Sequence, residues 1–395
     1  MKRLRVLHVL GSMNRGGVET WLLHVLRHLD RESFHTDLLV HTDRPAAYDN
    51  EVLALGSRIL RCPHTDNPLL YATRFLQTVA HNGPYDVLHS HVHHFSGFPL
   101  ALGRAARIPV RIAHSHSDTR TLDSRGSLAR RAYLKFTSRL LAANCTKGLG
   151  VSKQAASALF GPDWQSDPRF QVLYCGIDPA PFNPNFRSAP VRAEFGFSGE
   201  DVVFGHVGRF SPPKNHAFLL ETAAELRKIE PRAKFLLVGD GHLRPEIERR
   251  ARALGLKDHI AFAGLRSDIP RLMMGGMDLL LFPSLHEGLP IVLLEAQAAG
   301  LPSLVSENIT NEVSIHPALI RYLPLSAGVR EWARIACETA KERPFDAPMA
   351  LEFLKSSPFE IARAVELLAG IYREHAVLSR PATPVLASTI RGSRG

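Results

Sequence analysis

Residues 282–306 read FPSLHEGLPIVLLEAQAAGLPSLVS, a strand end, a turn, a helix and the start of another strand. The apolar run at 278–282 reads as a short buried strand, and Glu287 and Gly288 sit in the turn after it. Pro290 opens a helix that runs to about 299; proline suits a first helical turn because its missing N–H would have no partner there. Gly300 followed by Pro302 closes that helix, and 303–305 begins the next strand. The pattern predicts free N–H groups at Ile291, Val292 and Leu293, at the carboxyl end of a sheet. Unpaired donors and the helix dipole together attract an anion there. Glu287 stands before this terminus and Glu295 in its second turn. Glu295 is flanked by Leu293, Leu294, Ala296 and Ala298, so its carboxylate needs a partner or a ligand. Taken alone, the pair also fits a loop acid followed by a solvated helix glutamate.

Working back from this stretch, other loops fall at predicted strand ends. GRFSPPKN at 208–215 follows the strand predicted at 202–207. Its Gly208, Arg209 and Lys214 suit a diphosphate, whose several oxygens accept from Arg and Lys. A surface Arg–Lys loop is the alternative. GDGH at 239–242 ends the next strand and AGLRSD at 263–268 the one after. The first could be a tight turn and the second a helix capped by Asp268, or Gly264, Leu265 and Arg266 could offer backbone groups to a base. Carboxyl ends of parallel strands are where open α/β sheets bind ligands.

The first half repeats this alternation of apolar strands and amphipathic helices, the signature of parallel α/β structure. Strands are predicted at 5–10, 36–42, 86–90, 110–114, 148–152 and 171–174, with helices at 18–29, 69–80, 97–106 and 127–143; 44–68 reads as irregular. Gly16-Gly17 with Glu19 forms a strand-to-helix glycine pair that lets a phosphate or sugar approach the backbone. G-x-G-x-x-G is missing here and G-x-x-x-x-G-K-[ST] is missing throughout, which argues against dinucleotide and P-loop readings.

Histidines cluster in HSHVHH at 89–94 and HSH at 114–116. The first approaches a zinc-hydrolase pattern, but His93 stands where that pattern needs Asp, and downstream ligands are missing. Loop histidines without a role are a second reading. The third gives His114 or His116 a general acid/base or sugar-hydroxyl contact; two residues apart, they share a strand face.

The chain has 395 residues and a net charge of +10, a length that suits two domains and a charge that favours an anionic partner. Its four cysteines lie far apart, which fits reduced thiols and neither disulfides nor a cysteine metal site. No apolar run nears the ~20 residues of a membrane span, and the apolar run at 6–10 is too short for a signal core. The expected place is therefore cytoplasmic, with a peripheral position on the inner membrane face as a variant. The helix at 127–143, with Arg125 ahead of it, carries Arg130, Arg131, Lys135 and Arg139; it is either a solvated face or a seat for anionic headgroups. Prolines 179, 181, 184 and 190 mark a linker. The division expected is 1–178, a linker 179–190, a second domain 191–358, a helix 359–375 packing back on the first domain, and a disordered tail 376–395.

Together, the GGxE loop at 16–19, the strand-end histidine, GRF…K at 208–214, GDG at 239–241 and above all EGLP…LEA..AGLP at 287–302 resemble the retaining glycosyltransferases of family 4. The start HVLGSMNRGGVET and the RIAHSH segment are similar to members that build exopolysaccharides and capsules. The resemblance covers nearly the whole chain. It implies the GT-B fold, two Rossmann-like domains facing across a cleft, and transfer from a nucleotide-diphosphate sugar, UDP by family prior, to a saccharide or lipid-linked acceptor.

It also implies roles for the matched residues. Arg209 and Lys214 would hold the diphosphate, helped by Gly16, Gly17, Gly239 and the N–H groups after Gly288, Leu289 and Pro290, those of Ile291 and Val292 included. Glu295 would bind the ribose and Glu287 the sugar. Segment 264–266 would line the base, and His114 or His116 would touch the sugar or assist the incoming hydroxyl. No metal is required if cations and a helix dipole hold the leaving group. Relatives mostly carry Asn where Cys175 stands, and no role follows for it. Other uses of the fold, a sugar-nucleotide epimerase or hydrolase, share the diphosphate site. A His-rich metallohydrolase or a basic nucleic-acid-binding protein are more distant, the latter having no aromatic platform or module.

Overall fold

The computed structural model describes residues 3–63, 65–120, 123, 126–182, 191–342 and 344–378. Arg125, positions 183–190 of the expected linker and positions 379–395 of the expected tail lie outside them.

Two parallel sheets form. The first uses β1 (Leu4–Leu10), β2 (Phe34–Val40), β3 (Arg58–Arg61), β4 (Val87–Ser90), β5 (Val110–Ser115), β6 (Lys147–Gly150) and β7 (Phe170–Val172), in the order 3-2-1-4-5-6-7. The second uses β8 (Val202–Val207), β9 (Ala233–Val238), β10 (Ile260–Gly264), β11 (Leu279–Phe282), β12 (Ser303–Ser306) and β13 (Ile320–Leu323), in the order 10-9-8-11-12-13. Strand β11 is a continuous apolar run because parallel sheets are covered by helices on both faces, and Leu279 to Phe282 are buried throughout. In each sheet the strand order reverses beside the first strand, between β1 and β4 and between β8 and β11. Ligands bind open α/β sheets outside the carboxyl ends at such a point. The loops that leave β8 and β11 there are 208–215 and 283–290.

Segment 44–68, expected to be irregular, contains the helix Asp49–Ala54 and the edge strand β3. A helix at Ala347–Ser356, capped by Asp346 accepting from the Met349 N–H, and β13 were also not anticipated. The last helix, Ile361–Leu378, runs past residue 375 and packs on the helix Gly17–His28 of the first domain. The two strands of chain joining the domains run side by side: Ile177 N–H donates to Phe359 O at 2.9 Å and Ile361 N–H to Ile177 O at 3.1 Å.

The domains meet at small, specific contacts. Ser152 Oγ donates to the carbonyl of Gly288 at 2.8 Å. The Glu312 carboxylate accepts from the Lys153 N–H at 2.9 Å and from the Tyr174 hydroxyl at 3.0 Å. Gly288 lies so close to the first domain that a Cβ there would sit 2.1 Å from the His116 carbonyl oxygen.

Candidate active site between the two domains

Helix Ile291–Ala298 starts one residue later than the sequence implies, with Pro290 at the N-cap and not inside the first turn. A second detail differs. The Leu293 N–H donates to the Pro290 carbonyl at 3.0 Å, a tightened first turn, so Ile291 and Val292 are left to offer free donors. Leu289 and Ile291 are buried beneath the terminus.

Lys214 and Glu287 meet there. Lys214 Nζ lies 2.6 Å from Glu287 Oε1 and 4.9 Å from the centre of the Phe282 ring. Both side chains are largely enclosed. Lys214 is carried by a short turn that ends at Asn215, whose φ of 54° puts the backbone in the left-handed region; the Asn215 amide anchors it to the Pro283 carbonyl at 3.2 Å. The loops after β8 and β11 are thereby tied together.

Glu295 faces a different environment. No described residue donates a hydrogen bond to it, and burial pushes its carboxyl up to about 7. The residue is half-buried, and a desolvated carboxyl without a partner is a ready acceptor for ligand hydroxyls.

Arg209 is exposed at the cleft, and its guanidinium comes within 3.2 Å of where a Cβ on Gly16 would sit. Glu19 curls over Gly16 in the same spot. Burial raises the Glu19 carboxyl above its ordinary range, against the pull of its own N–H and of Arg209. Gly17 approaches Ile291 across the gap, where an added Cβ would lie 4.0 Å from its side chain. The glycine loop of one domain and the anion-seeking terminus of the other therefore close on each other. Sequence reasoning quoted Glu19 within the glycine motif without giving it a task; its place opposite Arg209 depends on the domain arrangement.

Other expected residues sit differently. Gly239 has its N–H bonded to the Gly264 carbonyl, and a Cβ there would lie 2.0 Å from the Gly208 carbonyl oxygen. Its amide is thus spent inside the protein, and what it supplies is close packing of one loop on another. Arg266 is held by Asp268 at 2.8 Å and by Glu194 at 2.6 Å, so its guanidinium is already engaged. Gly264, with φ of 66°, and the exposed Leu265 remain open at that strand end.

The histidines form one network on one face of the first sheet. His8 and His89 are register partners on β1 and β4, and His114 follows two residues beyond the partner of His89 on β5. His114 is fully buried, with Nδ1 3.2 Å from His89 Nε2, and does not reach the cleft; His116 is half-buried and does. Their rings are 4.1 Å apart. Burial lowers every member, His8 and His116 to about 3. His91, from the HSHVHH run, joins them; Trp21 and Tyr372, which complete the cluster, were not foreseen and come from helices laid over that face.

The basic helix runs Leu128–Asn144. Arg130 pairs with Asp123 at 2.8 Å, whereas Arg131, Lys135 and Arg139 form an exposed stripe at four-residue spacing beside exposed Leu128 and Phe136. No helix among the described residues is long and apolar enough to cross a membrane.

Comparison with known proteins shows the family and the fold. Residues 15–181 match the family model described as Glycosyltransferase Family 4, and 189–319 that of Glycosyl transferases group 1. The chain is 38% identical over 344 residues to "Putative glycosyltransferase EpsF" of Bacillus subtilis (strain 168), covering 86% of this chain and 89% of that one. It is 28% identical over 227 residues to the Escherichia coli UDP-Gal:alpha-D-GlcNAc-diphosphoundecaprenol alpha-1,3-galactosyltransferase, covering 56% and 58%. The fold superposes on Anabaena HepE, solved in complex with UDP-glucose, with a TM-score of 0.76 at 19% identity, over 94% of this chain and all of that one.

Proposed function

The chain belongs to glycosyltransferase family 4, the group 1 glycosyltransferases, and from that premise we propose that it transfers a hexosyl group from a UDP-sugar to a lipid-linked saccharide. It is a nucleotide-sugar-dependent enzyme of a retaining family, with the GT-B fold. The observation that carries the finer reading is the conjunction at one helix terminus of a paired Lys214–Glu287 and an unpartnered Glu295.

In this reading the diphosphate sits at the Ile291 and Val292 N–H groups, between Lys214 and Arg209. As the glycosidic bond breaks, negative charge grows on the leaving diphosphate and the anomeric carbon becomes oxocarbenium-like. The two cations and the helix terminus stabilise that leaving charge, which is typically the largest catalytic contribution, and no metal ion is required for it. Glu287 exchanges part of its hold on Lys214 for a sugar hydroxyl. Glu295 accepts from the ribose diol, and the strand end at Gly264 and Leu265 borders the base. His116, at the cleft surface, contacts the sugar or the incoming hydroxyl; His114 orients it from behind. The acceptor hydroxyl attacks from the leaving-group side, so configuration is retained.

UDP is supported by the names of two similar proteins, one acting on UDP-Gal and one solved with UDP-glucose. A lipid-linked acceptor at an anionic membrane face is supported by the E. coli relative's diphosphoundecaprenol substrate and by the cationic stripe Arg131, Lys135 and Arg139. A panel of nucleotide sugars, assayed for transfer with and without lipid-linked saccharide, tests the proposal. Turnover that ignores the acceptor would favour a hydrolase or epimerase instead.

A further inference from the structure

We propose that His91, His114 and His116 form a transition-metal site on the acceptor-side domain, open toward the cleft and suited to zinc. One ring nitrogen from each of the three lies within 4.8 Å of the others. Ligand nitrogens about 3.3 Å apart follow from Zn–N bonds of roughly 2.0–2.1 Å in a tetrahedron, so modest rotation of the rings brings them to bonding distance. His91 Nδ1 and His116 Nε2 are already 3.0 Å apart. Among the described residues His114 Nε2 is buried with no hydrogen-bond partner, as is His8 Nε2 in the wider network. Leaving such a buried group unsatisfied is costly, and a metal ion bound to His114 Nε2 would satisfy it.

The outer nitrogens are arranged as a metal site needs. Ligating imidazoles almost always donate their other N–H to a second partner, which fixes tautomer and orientation. Here His91 Nε2 faces His8 Nδ1 at 3.1 Å and His114 Nδ1 faces His89 Nε2 at 3.2 Å. His89 is held in turn by the Tyr372 hydroxyl at 2.6 Å. With protons on those two outer nitrogens, the lone pairs of His91 Nδ1 and His114 Nε2 are left for an ion. His93 and His94 are engaged elsewhere, with the Ser117 carbonyl and Asp123. The other three-histidine group, His8, His89 and His91, is buried on every member, whereas half-buried His116 gives the proposed site an entrance from the cleft.

Three histidines with a fourth position open is the arrangement of exchangeable, not closed structural, zinc. Because His116 faces the cleft, an ion there removes its lone pair from the reaction. Zinc occupancy is therefore expected to inhibit transfer, a control separate from the diphosphate seat.

The test uses the full chain, free of any affinity histidines, dialysed against Co2+. The expected result is one ion per chain with the intense visible bands of tetrahedral cobalt, displaced by Zn2+, and at least ten-fold weaker binding in His91→Asn and in His114→Gln. A weak octahedral spectrum, or equal binding in both variants, would overturn the site and mark the ion as held by surface histidines. If the variants fail to fold, the wild-type spectrum decides alone. UDP binding, measured in parallel, reports on the transferase reading independently of the metal.

Discussion

Lys214 Nζ and Glu287 Oε1 stand 2.6 Å apart, so the cation proposed to hold the diphosphate and the acid proposed to hold the sugar hold each other. The pair keeps Lys214 in place over Phe282 without an uncompensated charge in a mostly enclosed site, where the loss of one partner is costly. Donor entry has to share or replace this contact. Glu287→Gln and Lys214→Ala are each expected to lower kcat/KM by about 10²–10³-fold. Because the two act as a unit, the double variant should lose far less than the product of the single losses. A double-mutant cycle on kcat/KM checks this; strict additivity would separate the residues.

Glu295 makes donor binding and stability depend on pH in opposite senses. Its folded-state carboxyl sits at about 7 against an ordinary 4.5, so between those values the folded protein holds a proton that the unfolded chain has lost. Stability contributed by this group is therefore present at low pH and falls as pH rises from 4.5 through 7. Glu295→Gln should be more stable than the parent at pH 8, on the order of 2 kcal/mol, with the difference fading toward pH 5. UDP affinity in the parent should rise through pH 7 as the carboxylate ionises, and the variant should lack that rise. Thermal melts and titrations across pH 5–8 measure both.

Gly288 sets how closely the domains meet. A methyl group there would overlap the His116 carbonyl oxygen, so Gly288→Ala should hold the cleft ajar while each domain stays folded. Misplacement of about 1 Å can cost 10²-fold in rate, and a loss of about that size in kcat is expected, with a larger radius of gyration in solution scattering and little change in Tm. An unchanged rate would mean that turnover does not need this approach.

Arg131, Lys135 and Arg139 make membrane binding a charge question. At about 1 kcal/mol per basic residue near an anionic surface, changing all three to Glu should weaken binding to phosphatidylglycerol vesicles by about 10²-fold or more. Cosedimentation at low salt measures it, with neutral phosphatidylcholine vesicles as the control; equal binding of parent and variant would leave the stripe as a solvated face.

Much of this was readable from residues because it depends on local pattern. The strand–turn–helix around Glu287 and Glu295 is one continuous segment with its own start and stop signals. The short edge strands Arg58–Arg61 and Ile320–Leu323 were not readable: partly exposed and charged, they lack the apolar run of a strand buried on both faces. The helix Ala347–Ser356 did carry a signal, Asp346 followed by Pro348 at its start, of the kind that caps helices. The histidine network needed strand order and register as well as sequence. HSHVHH and HSH show their spacing, but only the pairing of His8 with His89 across β1 and β4, and of His89 with Ile112 across β4 and β5, puts three strands' histidines on one face. Likewise Glu19 beside Arg209, and Gly288 against His116, join residues of two domains, and nothing within either segment announces the other.

In the proposed site the helix terminus at Ile291, with Lys214 on one side and Glu295 on the other, seats the nucleotide diphosphate. Calorimetric titration of UDP into the parent and into Glu295→Gln at pH 8 tests it most directly. One site per chain is expected in the parent, and an affinity at least ten-fold weaker in the variant, from the lost charge-assisted hydrogen bonds. Equal affinity in the two proteins, or no UDP binding to a folded parent, would contradict it.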